Sequence, residues 1–524
     1  MKNLYVSLAA LFIGVAAFAQ TPDWSTDVAP ILYAKCTGCH NPNGIAPFSL
    51  LTYNDAVTNA PDMASDVSSR IMPPWPPDSS YSRFCNERIL STNEIQTIVD
   101  WANNGTPSGN LAQAPPQPVY SGNAQLTNPD LISQMPTYTV NTTNDLYRCF
   151  VMNSNVSTTE YITKVEVIPG NRSIVHHVLV FQDQANTCVN LDNNDPGPGY
   201  TWFGDVGSST ATLIAGWVPG QGMWELPANM GIKLLPNTHI IMQVHYPAGI
   251  TNQVDSTQVR FTFSNNTVRE VYLNPVINHS TSLTDGPLFI PANTVQTFHA
   301  QENASMNATL ISVAPHMHLI GQSIESYAVD PSNDTIPLIR INDWDFHWQG
   351  FYNFRQAIHI PYGSTLYGQA TYDNTANNPD NPNDPPQNVS VGESTTDEML
   401  VIYYAYLQYQ LGDENIIIDS TLLAGQNEPA AYTGVVKTPQ LYDPYPSPAS
   451  GNGSVSVGYF LPEAANVQFG LYDVNGRLVT PQISEQQQAG FGNETISTEG
   501  LAAGTYVLRM TAGNSVRTKT IVIE

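Results

Sequence analysis

Basic residues are scarce in this chain. Lysine and arginine together number 18 against 44 aspartates and glutamates, for a formal net charge of −26. So acidic a chain has no attraction to phosphate backbones or to anionic membrane surfaces, which excludes nucleic acid as a partner on charge grounds. Beyond the apolar run from Leu4 to Ala16 there is no long hydrophobic stretch, and that run is too short for a membrane span. Preceded by Met1-Lys2-Asn3 and followed by Ala17-Phe18-Ala19, it reads as a secretory signal peptide over 1–19, cleaved before Gln20. No cysteine stands at the cleavage site, so a lipoprotein anchor is not indicated. Hydrophobic residues still make up 41% of the chain, enough for real cores, and at about 150 residues per domain its 524 residues correspond to three or four domains.

Cysteine is also rare, five in all, and unevenly placed. Cys36 and Cys39 belong to CTGCH, which attaches a c-type haem through two thioethers and supplies His40 as an axial iron ligand. No second Cys or His pair follows at zinc spacing, which disfavours zinc at this CxxC. Met72, presented before Pro73 and Pro74, is the expected distal ligand. Met63 is the alternative, and Met72 could instead pack on Trp75. A His and Met pair raises the haem potential relative to two nitrogens, which suits an electron carrier. An amphipathic helix around Glu94–Asn103 and a Pro-rich linker over 106–120 close this segment, which resembles small cytochrome c domains. Of the other cysteines, Cys149 and Cys188 flank the histidine pair described next and are the expected disulfide in an oxidising compartment, leaving Cys85 as an odd thiol.

Two groups of soft or borderline ligands stand in the middle of the chain. One is His176, His177 and His245; the other is His316, His318 and Met399. Imidazole suits copper in both oxidation states, while a Met sulfur favours Cu(I) and does little for zinc or magnesium. His316 and His318 are two residues apart, so on a strand both rings leave the same face. His176 and His177 are adjacent, and regular pleating would send them to opposite faces. They can share a metal only at a strand end or a bulge. Any one of these histidines alone reads as an ordinary core or surface residue.

The surrounding strings change that. NRSIVHHVLVF, IIMQVHYP, APHMHLIG and STTDEMLVIYYAY follow one another in this order and resemble the copper type II, ascorbate-dependent monooxygenases, the group that includes peptidylglycine alpha-hydroxylating and dopamine beta-monooxygenases. The resemblance covers roughly 120–424. It implies that His176, His177 and His245 hold the copper that passes electrons, and that His316, His318 and Met399 hold the copper at which dioxygen is activated. Gln243 stands at the family's Gln in QVHY, and Tyr403 at a substrate-side position. The peptide-amidating members have an Arg and an Asn where this chain has Ala314 and Val401, so a peptide carboxylate is not expected as the substrate's anchor. Arg340 and Arg355 are the first substitutes to examine. The animal enzymes also have a Cys where this chain has Leu400.

Short alternating runs such as THIIMQVHY and QVRFTFS, bounded by Gly, Pro and Asn turns, indicate a mainly β chain. The expected organisation is a haem domain over 20–110, two jelly-roll-like copper monooxygenase domains over 111–275 and 276–425, a linker over 426–444 and a small β-sandwich over 445–524. DNTANNPDNPNDPPQN at 373–388 has no core pattern and reads as a mobile loop. The final sandwich resembles the type IX secretion C-terminal sorting domain, with an Ig-like adhesion module as the alternative. The chain is thus expected to be a secreted or surface-attached oxidoreductase carrying two copper ions and one haem iron. Its partners would be dioxygen, a small organic substrate, an external reductant or redox protein, and the type IX machinery. The competing expectation is a non-catalytic surface protein that transfers electrons or binds copper on the same fold.

Overall fold

Side chains that satisfy free backbone amides start the helices of the N-terminal segment. Thr52 and Asp55 form a reciprocal capping box on α2 (Tyr53–Thr58), and Ser91 and Glu94 form another on α4 (Thr92–Asn103). With α1 (Ala29–Lys35) and α3 (Ala60–Ser68) these helices enclose one small core. Met63 and Val67 of α3 and Ile98 and Trp101 of α4 meet there with Trp24, Val28 and Leu32.

This computed structural model describes residues 21–524 apart from 121–123, 265, 267, 420–438, 442–452, 462–463, 475, 488–489, 514 and 524. The expected signal peptide and most of the expected linker over 426–444 lie outside the described residues. Two compact units result. One holds the helices, in segments that end at Trp75 and resume at Arg88. The other takes the chain from Ala124 onward and also Pro76–Glu87, a strip whose Asp78 and Cys85 amides donate to Arg340 and Asn353 carbonyls. Among the described residues no helix is long and apolar enough to cross a membrane.

The second unit is built of antiparallel sandwiches. In the first, β1 (Leu146–Asn153), β2 (His177–Asp183), β3 (Thr212–Trp217) and β4 (His239–Tyr246) form a sheet in the order β1, β4, β2, β3, with Tyr200–Thr201 outside β1. Strand β4 is central and buried on both faces. Ile240, Met242, Val244 and Tyr246 point into the sandwich against Ile162, Val165, Val259 and Phe261 of the facing sheet. Ile241, Gln243 and His245 therefore occupy the opposite face, as period-two geometry requires. In the second sandwich β5 (Tyr272–Asn278), β6 (Ala308–His316), β7 (Tyr352–Ile360) and β8 (Val401–Gln408) are ordered β5, β8, β6, β7. Across this sandwich the Ser326 hydroxyl meets the Tyr404 hydroxyl at 2.6 Å, and Gly368 lies so near Ile277 that a Cβ would approach it to 3.0 Å. A third, smaller sandwich buries Val455, Val457, Leu471 and Leu508.

Two expectations are corrected. Cys149 and Cys188 are both fully buried beside Phe181, Tyr200 and Ile241, yet they are free thiols, and the Cys188 sulfur turns to the Val206 carbonyl at 3.3 Å. They pack as small apolar side chains. The polar stretch 373–388 is pinned rather than loose. Asn374 is wholly buried and donates to the Ile290 and Gln387 carbonyls, and Asn381 donates to Asn374, so side-chain bonds take the place of an apolar core.

Arg269 grips Asp413 by two bonds of 2.7 Å, and Thr309 and the Gln410 amide also donate to this carboxylate. Burial pushes the Asp413 carboxyl up, but these donors outweigh it and hold it down at about 2, against an ordinary 3.8. A depressed folded value means that the contribution is present above the ordinary value and is lost as pH falls through the folded one. Asp413→Asn should lower the urea midpoint near neutrality and flatten the loss of stability between about pH 5 and pH 2. A profile identical to that of the parent chain would show that Asp413 carries none of it.

Candidate metal centres

The strand register assembles the first centre. His245 in β4 lies directly opposite His177 in β2 and, on its other side, Tyr147 in β1, whose ring stacks on the His245 imidazole at 4.2 Å. His176 precedes the first residue of β2, so it escapes the pleat that would have turned it away. Its amide donates to the His245 carbonyl at 2.9 Å, and its ring swings back to the same side. The Nδ1 atom of His176 then stands 3.2 Å from Nδ1 of His177 and 3.2 Å from Nδ1 of His245. Nitrogens bound at about 2 Å to one ion are spaced like this. Burial first, and the His245 ring next, push the protonated forms of His176 and His177 down, His176 to about 3. Neutral lone pairs facing one point are what a metal needs. His245 Nε2 faces Asp145 Oδ1 at 3.3 Å, which leaves Nδ1 as its inward atom.

The second centre uses the opposite ring nitrogen. His316 Nδ1 donates to Gln349 Oε1 at 2.5 Å, and His318 Nδ1 donates to the Asp397 carbonyl at 3.2 Å, so both rings keep Nε2 free. Their centroids are 5.1 Å apart. Burial drives the His316 imidazolium down to about 4 against the opposing Gln349 bond, and drives His318 well below its ordinary value. Met399 lines the same cleft as these rings. Glu398, wholly buried, accepts from the His318, Ile320 and Met399 amides at 2.9, 2.9 and 3.1 Å and so fastens both ligand segments to one carboxylate. Burial raises the Glu398 carboxyl to about 8 in spite of those donors.

An open cleft joins the two centres. His177 and Gln243 enter it from the first sandwich, and His316, His318, Met399 and Tyr403 from the second. Phe346 spans them, stacked on His176 at 4.7 Å and edge-on to His318 at 5.9 Å. Gln243 also holds the loop beside the cleft, donating to the Trp202 and Asp205 carbonyls. Tyr403 pairs in register with Ala314, and burial lifts its phenol to about 12. Arg340 and Arg355 lie elsewhere: the first pairs with Glu325 over the Tyr81 ring, and the second meets Glu87 and Asp419. Asp145, Phe346, Gln349 and Glu398 were not singled out from the sequence. Glu398 had a signal in its place beside Met399, whereas no spacing marks the other three.

In the helical unit Cys36 ends α1, and the His40 amide donates to the Cys36 carbonyl at 2.9 Å, so CTGCH forms a single tight turn. His40 Nδ1 donates to the Phe48 carbonyl at 3.1 Å, leaving Nε2 as the free nitrogen. Cys36 and Cys39 are free thiols. Met63 is packed in the helical core, whereas Met72 is half-buried. These features fit a thioether-linked macrocycle.

Two domain models of one family match the second unit in chain order. The N-terminal domain of the copper type II ascorbate-dependent monooxygenases matches residues 132–251, and its C-terminal domain matches residues 283–417. The first match contains the three-histidine centre and the second contains His316, His318 and Met399. Residues 444–524 match the secretion system C-terminal sorting domain, which implies export to the cell surface. The DBH-like monooxygenase protein 1 of Mus musculus is 25% identical over 268 residues, 47% of this chain and 41% of that protein. The chain thus spans about two fifths of that relative's length. Among solved structures, a biofilm-associated protein BSP domain is 11% identical over 78% of this chain and 84% of its own, with a TM-score of 0.14. A tetra-tandem repeat of a large adhesion protein is 9% identical over 72% and 75%, with a TM-score of 0.15. Scores so low carry no argument about fold.

Glu398→Ala strips the common anchor from the second centre alone. Copper affinity there should fall roughly 10- to 100-fold, the usual effect of losing a group behind the ligands, while the three-histidine centre keeps its own. Competition with a Cu(I) chelator measures both, and equal retention at the two centres would show that Glu398 is not the anchor.

Proposed function

We propose that this chain is an exported copper monooxygenase that inserts one oxygen atom of dioxygen into a C–H bond of a small neutral or cationic substrate. The observation that carries the proposal is the pair of imidazole sets, inward by Nδ1 on one side of the cleft and by Nε2 on the other, with Met399 beside the second. Copper held by His316, His318 and Met399 would supply dioxygen activation, and copper held by His176, His177 and His245 would supply electron storage and transfer. The residues do the rest. Gln349 and the Asp397 carbonyl orient the two rings, Glu398 fixes the segments that carry them, and Gln243 holds the loop beside the three-histidine side. Phe346 holds the His176 ring by stacking and meets the His318 ring edge-on.

The cleft wall supports the substrate class. Its apolar lining includes Leu179, Trp217, Phe351 and Tyr403, and among the described residues Glu393 is its one carboxylate and no Lys or Arg lines it. Burial first, then the neighbouring Asp205 and Asp397, push the Glu393 carboxyl up. A substrate carboxylate would meet like charge and no donor pair. A cation would find an acceptor.

We also propose a c-type haem on Cys36 and Cys39, with His40 Nε2 as one axial ligand and Met72 as the other. It would supply a one-electron relay between an external redox partner and the protein. Support comes from the tight CTGCH turn and from the His40 tautomer set by Phe48.

Oxygen uptake by the copper-loaded, mature protein tests the whole reading. Two coppers and one covalent haem are expected, with uptake stimulated by small amines or neutral aromatics and hardly at all by glycine-extended peptides. Met399→Ala should abolish the stimulated uptake with one copper retained. Glu393→Gln should weaken apparent binding of cationic substrates more than neutral ones. Copper bound without any substrate-dependent uptake would favour a non-catalytic electron-transfer or copper-binding protein instead.

A further inference from the structure

We infer that Asp145 is a positioning residue that ties the two metal centres together, holding the ring of His245 with one carboxylate oxygen and the loop that carries Met399 with the other. This rests on the copper reading above. Asp145 immediately precedes β1, with its side chain only 14% exposed. Its Oδ1 stands 3.3 Å from His245 Nε2. Its Oδ2 accepts from the Thr395 hydroxyl at 2.5 Å and from the Thr395 amide at 3.3 Å.

The chain of contacts runs on to the second centre. Thr395 lies in a tight turn closed by the Asp397 amide, which donates to the Ser394 carbonyl at 2.8 Å. The Asp397 carbonyl in turn accepts from His318 Nδ1 at 3.2 Å. Three steps therefore lead from a ligand of one centre to a ligand of the other, through His245, Asp145, the Thr395 turn and His318. Each step sets a ring or a loop rather than merely filling space. The first fixes the His245 tautomer so that Nδ1 faces His176 Nδ1. The last fixes the His318 tautomer so that Nε2 stays free.

A carboxylate is the group that can do both. Its two oxygens only accept, so it can take a ring N–H on one side and a backbone N–H with a hydroxyl on the other. An amide in its place has one acceptor and one donor, and its donor would face either the His245 N–H or the Thr395 N–H. One arm would be lost. The strand does not depend on Asp145, because the ladder between β1 and β4 begins at Leu146.

The test compares Asp145→Ala, Asp145→Asn and Thr395→Val in the full chain. In the metal-free protein, hydrogen exchange over 391–399 should quicken about tenfold in Asp145→Ala, as expected for losing a charge-assisted bond. In the copper-loaded protein, the three-histidine site of Asp145→Ala should lose affinity roughly 10- to 100-fold, with an altered Cu(II) electron paramagnetic resonance signal. Thr395→Val should keep that affinity and signal, yet broaden the copper-to-copper distance distribution read by pulsed dipolar resonance, as Asp145→Ala also does. Asp145→Asn should keep one of the two effects and lose the other. Unchanged exchange in a folded Asp145→Ala, or a parent-like distance distribution in Thr395→Val, would overturn the inference. If Asp145→Ala does not fold by circular dichroism, the Thr395→Val distance distribution decides alone. A parent protein that binds no copper but shows the exchange effect would refute the copper reading while leaving the tie intact.

Discussion

The register between β2 and β4 is the constraint on which the metal cleft depends. A slip of one residue along β4 would turn His245 into the sandwich and bring Val244 or Tyr246 out to meet His177. That slip is opposed by the alternation of Ile240, Met242 and Val244 against Ile162, Val259 and Phe261, each buried side chain being worth about 1.5–3 kcal/mol relative to exposure. The apolar face thus fixes the position of the polar one. It does so without any contact to the imidazole nitrogens that face one another.

Fixing the rings themselves falls to groups that take the nitrogen not needed by a metal. In the first centre that group is Asp145 behind His245, and in the second it is Gln349 and the Asp397 carbonyl behind His316 and His318. An imidazole has one donor and one acceptor when neutral, so committing the donor outward leaves the acceptor inward. Burial keeps the His176, His177, His316 and His318 rings unprotonated. The two centres therefore differ by construction: three nitrogens on a sheet face, against two nitrogens and a thioether at strand ends.

Much of this was legible in the sequence, for identifiable reasons. His316-x-His318 has the period of a strand, but β6 ends at His316, and His318 just beyond it is set by Glu398 and the Asp397 carbonyl. The alternation in THIIMQVHY located the core strand and put His245 on the face opposite Ile240, Met242 and Val244. The adjacency of His176 and His177 raised a geometric objection from pleating, and the answer lay one residue outside β2, where no local pattern could place it. The assembly of His177, His316 and Met399 on one cleft joins residues far apart in the chain, and spacing does not encode that; the ordered family strings did. Cys149 and Cys188 show the opposite failure, since two cysteines near in the fold look alike in sequence whether bridged or merely packed. Asp145, Phe346 and Gln349 act through three-dimensional proximity alone, and only the fold reveals them. CTGCH does close into the tight turn that its short spacing implies.

The central claim is that one cleft holds two coppers with unlike ligand sets, one of them including Met399 sulfur. X-ray absorption of the protein loaded with Cu(I) and compared with Met399→Ala measures this directly. Histidine nitrogens with a sulfur shell amounting to one thioether per two coppers are expected, and that shell should vanish in the variant while the imidazole scattering of the three-histidine centre persists. A sulfur shell that survives Met399→Ala, or none in the parent protein, would contradict the account.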